Sequence, residues 1–317
     1  MRRWPFVLAL AVAVIVAAVV ARGYLRTPST PTTTEPEVAK PASSVKPTTE
    51  KKPASAQTSK PEPKVEEKEQ PKPKTEQSPA PKPLSTGEVI ARADELTGAG
   101  NLVEAQKALS KALLANPDDP KAPELKARLV KLADELYFSP KPSPVSIVHT
   151  VAAGETLGKI AKKHKTTVGL IKRINGLSSD VIRVGQRLKV VPGGFDVEVV
   201  KSKFLLTVFK DGVWVREFRV GLGKDGSTPV GEFLAGEKLT NPTYFGNGTP
   251  IPFGDKKNNP LGTRWITIEG QYGIHGTWEP DSIGKERSKG CVRMRNEDVE
   301  WLFDLVVKGV SKIVIKR

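Results

Sequence analysis

Only one of the 317 residues is cysteine, Cys291, and three are histidine: His149, His164 and His275. A single thiol excludes an internal disulfide framework and any zinc cage built from several cysteines, since each needs at least two sulfurs from one chain. Three histidines far apart in sequence offer no metal-binding cluster either, so no metal or other cofactor is expected. Large apolar residues are all but missing between Thr27 and Pro83, where Pro, Lys, Glu, Thr and Ser dominate. Such a stretch cannot bury enough surface to offset the entropy of ordering it, and residues 27–84 are predicted to be a disordered linker. Proline-rich chain extends by about 3.1 Å per residue, which gives this linker a reach on the order of 100 Å.

A broad basic face is also missing, although the net charge is +15. The excess is concentrated in residues 147–192, which hold nine Lys and Arg against two acidic residues, Glu155 and Asp180. That pattern argues against nucleic acid as a partner and leaves two readings, a compact module that meets an anionic polymer or a solvated structural face. A long apolar run occurs at the start, from Pro5 to Ala21, after Arg2 and Arg3 and before Arg22. Positive residues ahead of such a run favour export of the chain beyond it. Residues 1–26 therefore read as a signal anchor held in the membrane through 5–21, or as a signal peptide cleaved near Val19-Val20-Ala21. Both readings place the remainder outside the cytoplasm, in the periplasm or cell wall.

Residues 85–140 carry apolar positions at helical spacing. Val89, Ile90, Ala93 and Leu96 form one stripe, Leu102, Ala105, Leu109, Ala112 and Leu113 a second, and Leu125, Leu129, Leu132 and Leu136 a third on a helix from about Ala122 to Leu136. Gly98 and Gly100 separate the first two, and Asn116-Pro117 ends the second. The phrases Gly100-Asn101-Leu102-Val103-Glu104-Ala105 and Asn116-Pro117-Asp118-Asp119-Pro120 resemble a tetratricopeptide-like helical hairpin. Barely more than one repeat is present, fewer than a free-standing stack needs. The segment is read as a helical spacer or as a contact surface whose protein partner is unknown.

Residues 147–192 read β, α, α, β. Ile147 to Val151 alternates as a strand, Gly154-Glu155-Thr156-Leu157 caps a helix through Ile160, Ala161 and His164, and Val168, Leu170, Ile171 and Ile174 mark a second helix. Asn175-Gly176-Leu177 turns the chain into a closing strand from Ile182 to Val190. This stretch resembles a LysM module, and the resemblance implies binding of N-acetylglucosamine-containing glycan. His164 is read as a surface helix residue rather than a ligand.

From Gly194 onward the pattern becomes predominantly β. Phe195–Val200, Lys203–Phe209 and Val213–Val220 alternate at period two, with Lys210-Asp211-Gly212 as a hairpin turn. One late helix is expected, with Asn296 as N-cap, Glu297 and Asp298 in its first turn and Val299, Leu302, Phe303 and Val306 on its buried stripe. Gly309 stops it before a final strand from Ser311 to Ile315. The whole is read as a multidomain chain whose largest part, 194–317, is mainly β with one late helix.

Cys291 stands in Ser288-Lys289-Gly290-Cys291-Val292-Arg293-Met294, and His275 in Gly273-Ile274-His275-Gly276-Thr277. A lone cysteine is often a small buried apolar filler. The alternative is a nucleophile, since an imidazole that takes the thiol proton makes a loop cysteine reactive near neutral pH. Gly290 permits a tight turn and close approach to a substrate, and Arg293 offers a fixed cation for a carboxylate. His149 and His164 fall in another module, which leaves His275 as the base. The loop containing Tyr244, together with 251–259, lies between strands and could cover a groove, with Tyr244 either packing or touching substrate.

Four phrases coincide with one family: Thr228-Pro229-Val230-Gly231-Glu232-Phe233, Asn259-Pro260-Leu261-Gly262-Thr263-Arg264-Trp265, the His275 phrase and the Cys291 phrase. In that order they resemble the YkuD-type L,D-transpeptidase catalytic domain, over residues 194–317, and the resemblance implies a β-sandwich there. The resemblance implies a nucleophile at Cys291, a base at His275, an oxyanion hole from main-chain N–H groups around Gly290 and Cys291, a loop oriented by Ser288 and a site supported by Arg293. It also implies peptidoglycan stem peptides as substrate. The thiolate would attack the diaminopimelate–D-alanine bond, release D-alanine and pass the acyl group to an amine, making a 3–3 cross-link or a protein attachment. Lys289 departs from the family, whose members often have histidine there. A lysine cannot act as a neutral imidazole, but its charge can stabilise a thiolate or attract a stem carboxylate. Two other readings are a noncatalytic wall-binding anchor and an L,D-carboxypeptidase that uses water as acceptor.

Overall fold

The computed structural model describes residues 84–246 and 248–317. The expected anchor or signal peptide at 1–26, and the linker apart from Leu84, lie outside the described residues. Among the described residues no helix is long and apolar enough to cross a membrane.

Three helices come first: α1 (Thr86–Gly98), α2 (Leu102–Ala115) and α3 (Ala122–Ala133). Ser85 starts α1 through a reciprocal cap, its hydroxyl receiving the Glu88 N–H at 3.3 Å while the Glu88 carboxylate receives the Ser85 N–H at 2.7 Å. Helix α3 runs on into a wide turn at Asp134–Phe138, which keeps Leu136 on the expected stripe and buries Tyr137. Then comes the small module: β1 (Ile147–Thr150), α4 (Leu157–Lys163), α5 (Val168–Asn175) and β2 (Arg187–Val190). Thr156 and Thr167 cap the two helices, and Gly176 leaves α5 in the left-handed conformation at φ 62°. The closing strand is shorter than expected. Gly185 at φ 83° and the Gln186 N–H to Arg183 carbonyl bond turn residues 183–186 instead of extending them.

The remaining elements are β3 (Asp196–Val200), β4 (Leu205–Lys210), β5 (Val213–Arg219), β6 (Leu222–Gly223), β7 (Gly231–Leu234), β8 (Lys238–Thr240), β9 (Arg264–Glu269), β10 (Tyr272–His275), β11 (Glu286–Ser288), β12 (Val292–Arg293), α6 (Asn296–Leu305) and β13 (Lys312–Lys316). They form a five-stranded sheet ordered β5-β4-β3-β13-β7, a four-stranded sheet ordered β12-β10-β9-β8 and the short pair β11-β6. The β4–β5 turn has both central residues at positive φ, Asp211 at 51° and Gly212 at 78°, as a two-residue hairpin demands. Val197, Val199, Leu206 and Val208 from one sheet share a buried core with Ile266, Ile268, Ile274 and Val292 from the other, so the β-sandwich reading holds. Helix α6 adds Val299, Leu302 and Leu305 to this core and begins one residue earlier than expected. Arg295, not Asn296, is its N-cap.

The helical segment already has a partner, the chain's own sheet. Edge strand β5 inserts Trp214 among Ile90, Leu109, Leu113, Leu125 and Leu129, and its Trp214 N–H donates to the Ser110 hydroxyl at 2.9 Å. An edge strand carries unpaired main-chain groups, and the helices cover this one. Ion pairs Lys126–Glu217 at 2.7 Å and Arg216–Asp134 at 2.8 Å frame the contact but add little beside the buried indole. Trp214→Ala is expected to cost about 3–5 kcal/mol in urea unfolding by leaving a large cavity between helices and sheet. A loss under about 1 kcal/mol would mean the segment is only loosely attached.

The small module is fixed in a similar way. Leu170 and Ile174 of α5 join the main core, and Arg173 donates to the Asp304 carboxylate of α6 at 2.6 and 3.1 Å. Gly169 makes that approach possible, because a Cβ there would lie 2.1 Å from an Asp304 oxygen. His164 is less solvated than expected. It is half-buried against His149, with Nε2 at 3.2 Å from His149 Nδ1, and His149 Nε2 in turn lies 2.8 Å from Glu155. Burial, then the neighbouring His149 and Lys163, hold the His164 imidazole below its ordinary range.

Candidate active site

Strands β10 and β12 run parallel with Ile274 opposite Val292 and His275 opposite Arg293. Cys291 immediately precedes β12, so this pairing brings its loop beside the strand that ends in His275. The sequence spacing could not give this relation, since it depends on a pairing between distant segments.

His275 is buried, and its Nδ1 lies 2.6 Å from the Gly276 carbonyl oxygen. A carbonyl only accepts, so Nδ1 carries the proton and Nε2 keeps its lone pair. Burial pulls the imidazole down to about 4, with the Gly276 carbonyl opposing, Arg293 adding to the fall and the Leu261 main chain opposing again. The Trp265 indole stacks over the ring, centroids 5.7 Å apart and planes within 17°. The same indole lies over Gly273, where a Cβ would come within 2.5 Å of it.

Cys291 is half-buried, and its Sγ donates a long contact of 3.9 Å to the Gln271 carbonyl. Burial pushes the thiol up, with hydrogen bonding from the Gly273 main chain and the Arg293 charge pulling the other way. At neutral pH the pair is a neutral thiol beside a neutral imidazole, not a preformed ion pair. Among the described residues no hydrogen bond yet joins Sγ to the ring.

The loop before the sulfur is stapled by Ser288. Its hydroxyl accepts the Gly290 N–H at 3.1 Å and donates to the Cys291 carbonyl at 2.7 Å. The Gly290 N–H, expected to face substrate, is thus turned inward. Gly290 itself sits at φ 122°, and its missing side chain makes room for Tyr272, whose ring carbon would lie 2.3 Å from a Cβ. Arg293 is largely covered, and its guanidinium pairs with Glu279 at 3.2 Å. It props the sheet beside His275 and does not line the open cavity.

That cavity, about 440 Å³, opens at Cys291. Tyr244, Phe245, Leu239, Leu261 and Trp265 make its apolar walls, while Gln271 and the exposed Lys289 add polar groups. Tyr244 lines the cavity, its ring lies against Gly246, and its main chain pairs with Ile251 through two bonds of 2.9 Å. Buried Asn259 ties the base of this loop, donating to the Pro242 and Ile251 carbonyls at 2.9 and 3.0 Å and accepting the Leu261 N–H at 3.0 Å. Asn296, freed from capping, accepts the Thr263 N–H and donates to the Thr277 carbonyl, clamping the segments on either side of His275. Sequence reasoning missed Gln271, Tyr272, Glu279 and the clamping role of Asn296. Only Asn259 and Trp265 had a signal, their place in a motif phrase.

Two parts of the chain are similar to known families. A family model described as the L,D-transpeptidase catalytic domain, YkuD, matches residues 194–315, and a LysM domain model matches 149–191. The chain is 31% identical over 173 residues to an L,D-transpeptidase relative of Bacillus licheniformis, YkuD, covering 51% of this chain and 95% of that protein. It is 37% identical over 131 residues to a Bacillus subtilis relative, YqjB, covering 39% of this chain and 73% of that one. Among solved structures, the catalytic domain of an Enterococcus faecium L,D-transpeptidase matches at 25% identity and a TM-score of 0.32, over 38% of this chain and 95% of that one.

Proposed function

Since the chain belongs to the YkuD-type L,D-transpeptidase family, with a LysM domain ahead of the catalytic domain, we propose that it releases D-alanine from peptidoglycan stem tetrapeptides and transfers the remaining acyl group to an amine. The observation that carries this reading is the placement of the only thiol at the mouth of a cavity, just before the strand that pairs with the one bearing buried His275, whose Nδ1 donates to the Gly276 carbonyl. The reaction requires the Cys291 side chain to leave the Gln271 carbonyl and reach Nε2 of His275. Nε2 then takes the thiol proton as sulfur attacks the diaminopimelate carbonyl. The Cys291 N–H faces the developing oxyanion, an interaction worth about 3–4 kcal/mol in comparable sites. Collapse breaks the C–N bond, the imidazolium protonates the departing D-alanine nitrogen, and a thioester remains. An incoming amine loses a proton to Nε2, attacks the thioester and leaves as the new amide, and the thiol regains its proton. The 147–192 module holds N-acetylglucosamine-containing glycan while this happens, outside the cytoplasm.

The test is incubation of the purified chain with disaccharide-tetrapeptide, followed by mass spectrometry. An adduct on Cys291, released D-alanine and 3–3 dimers are expected. Tripeptide stems without dimers would make water the acceptor, and unchanged substrate would favour the noncatalytic anchor. The pH profile tests the base. With the imidazole held down to about 4, protonation removes its lone pair only near that pH, and the raised thiol stays protonated through neutrality. The rate is expected to stay level from about pH 8 down to about pH 5 and then to drop, up to about tenfold per unit well below the imidazole pKa. A limb centred near about 6.5 would show a solvated histidine instead.

A further inference from the structure

The cavity at Cys291 has one charged residue in its lining, Lys289. Its other walls are aromatic, aliphatic or neutral polar, so no second charge there offsets that ammonium. Lys289 is exposed, and among the described residues no carboxylate lies within ion-pair distance of it. Glu279 is already taken by Arg293. Both neighbours of Lys289 are fixed, since buried Ser288 and buried Gly290 are bonded to each other, so its main chain is anchored while its side chain remains free to reach. A solvent-facing cation held two residues from the nucleophile, without a partner, suits an anion that arrives with the substrate.

We propose that Lys289 is a specificity-determining residue that favours donor stems bearing a free carboxylate on the acyl side of the scissile bond over stems in which that group is a carboxamide. The inference rests on the transpeptidase reading for the identity of the donor, but not for the existence of the anion preference. A carboxylate gains a charge-assisted contact with the ammonium, whereas a carboxamide offers only a dipole. The preference weakens with salt, because the cation is solvent-exposed.

Cys291 is the only thiol in the chain, so its alkylation reads the local field without any peptide chemistry. Rates with anionic iodoacetate and neutral iodoacetamide are measured for the wild type, Lys289→Met, Lys289→Glu and Lys289→Arg. The iodoacetate-to-iodoacetamide ratio is expected to fall about fivefold in Lys289→Met, further in Lys289→Glu, and to be retained in Lys289→Arg. In parallel, kcat/KM for D-alanine release is compared between free-acid and amidated tetrapeptides, and the free-acid preference is expected to fall about tenfold in Lys289→Met, chiefly through KM. An unchanged alkylation ratio overturns the anion site. A ratio that changes while the stem preference does not, or while neither stem reacts with the wild type, overturns the assignment to donor stems, and the second of these also sinks the transpeptidase reading.

Discussion

Cys291→Ala abolishes D-alanine release, with an expected loss of about 10⁶-fold or to the assay floor. No other sulfur nucleophile exists in the chain to substitute for it, and the hydroxyls near the cavity lack the paired base that would activate them. His275→Gln is expected to be nearly as damaging, because a glutamine cannot accept the thiol proton while the thiol itself is pushed up by burial. The double variant should be no worse than Cys291→Ala alone, since nucleophile and base act as one unit. Folding is a separate matter. Cys291 loses only a long 3.9 Å contact to Gln271 on truncation, so the stability of Cys291→Ala should change by less than about 1 kcal/mol. Binding of insoluble peptidoglycan through 147–192 should persist in both variants. Retained D-alanine release in Cys291→Ala would remove the basis of the proposed chemistry.

Gly290→Ala is expected to be the most harmful substitution at a residue with no reactive group. At φ 122° the backbone is one that an alanine resists, and the added methyl would lie 2.3 Å from a Tyr272 ring carbon and 3.1 Å from the Ser227 carbonyl oxygen. Gly223 packs from another side, its own absent Cβ leaving space for the Gly290 Cα. No direction is open for relief without moving the nucleophile. The strain should cost about 1–3 kcal/mol of stability, while displacement of Sγ by about an ångström should lower kcat on the order of 10²-fold or more. Activity must therefore fall further than the folded fraction does, measured by circular dichroism at the assay temperature. An alanine variant with full activity would show that the loop is not held as tightly as its contacts imply.

Lys289 carries a smaller effect. Its charge was visible in sequence, yet its meaning was not. Whether that cation would be neutralised by a neighbour, as Arg293 is by Glu279, or left facing the cavity depended on how segments far apart in sequence came together.

The same division runs through the rest of the molecule. The helical stripes, the hairpin at Asp211-Gly212 and the β-α-α-β order were legible because they depend on periodicity and turn chemistry within a few residues, and the four motif phrases because they resemble those of a known family. Asn296 misled for a local reason. Its type suits an N-cap, but its amide is drawn away to Thr263 and Thr277. The helical segment reads in sequence as a spacer or as a contact surface of unknown partner, because a stripe of apolar residues does not say what will cover it. The answer lay in Trp214 meeting Ser110 across 104 residues.

By itself, then, the amino-acid order determined which residues could do chemistry and which stretches would form each element, since those properties belong to side chains and to short-range backbone preference. Only the tertiary structure decided that the segment after Cys291 pairs with the strand of His275, that the Gly290 N–H turns to Ser288, that Arg293 is committed to Glu279 and that Lys289 is not committed at all. Those outcomes are set by pairing between distant strands and by exclusion of water from the space they enclose. Neither is encoded at any one position of the chain.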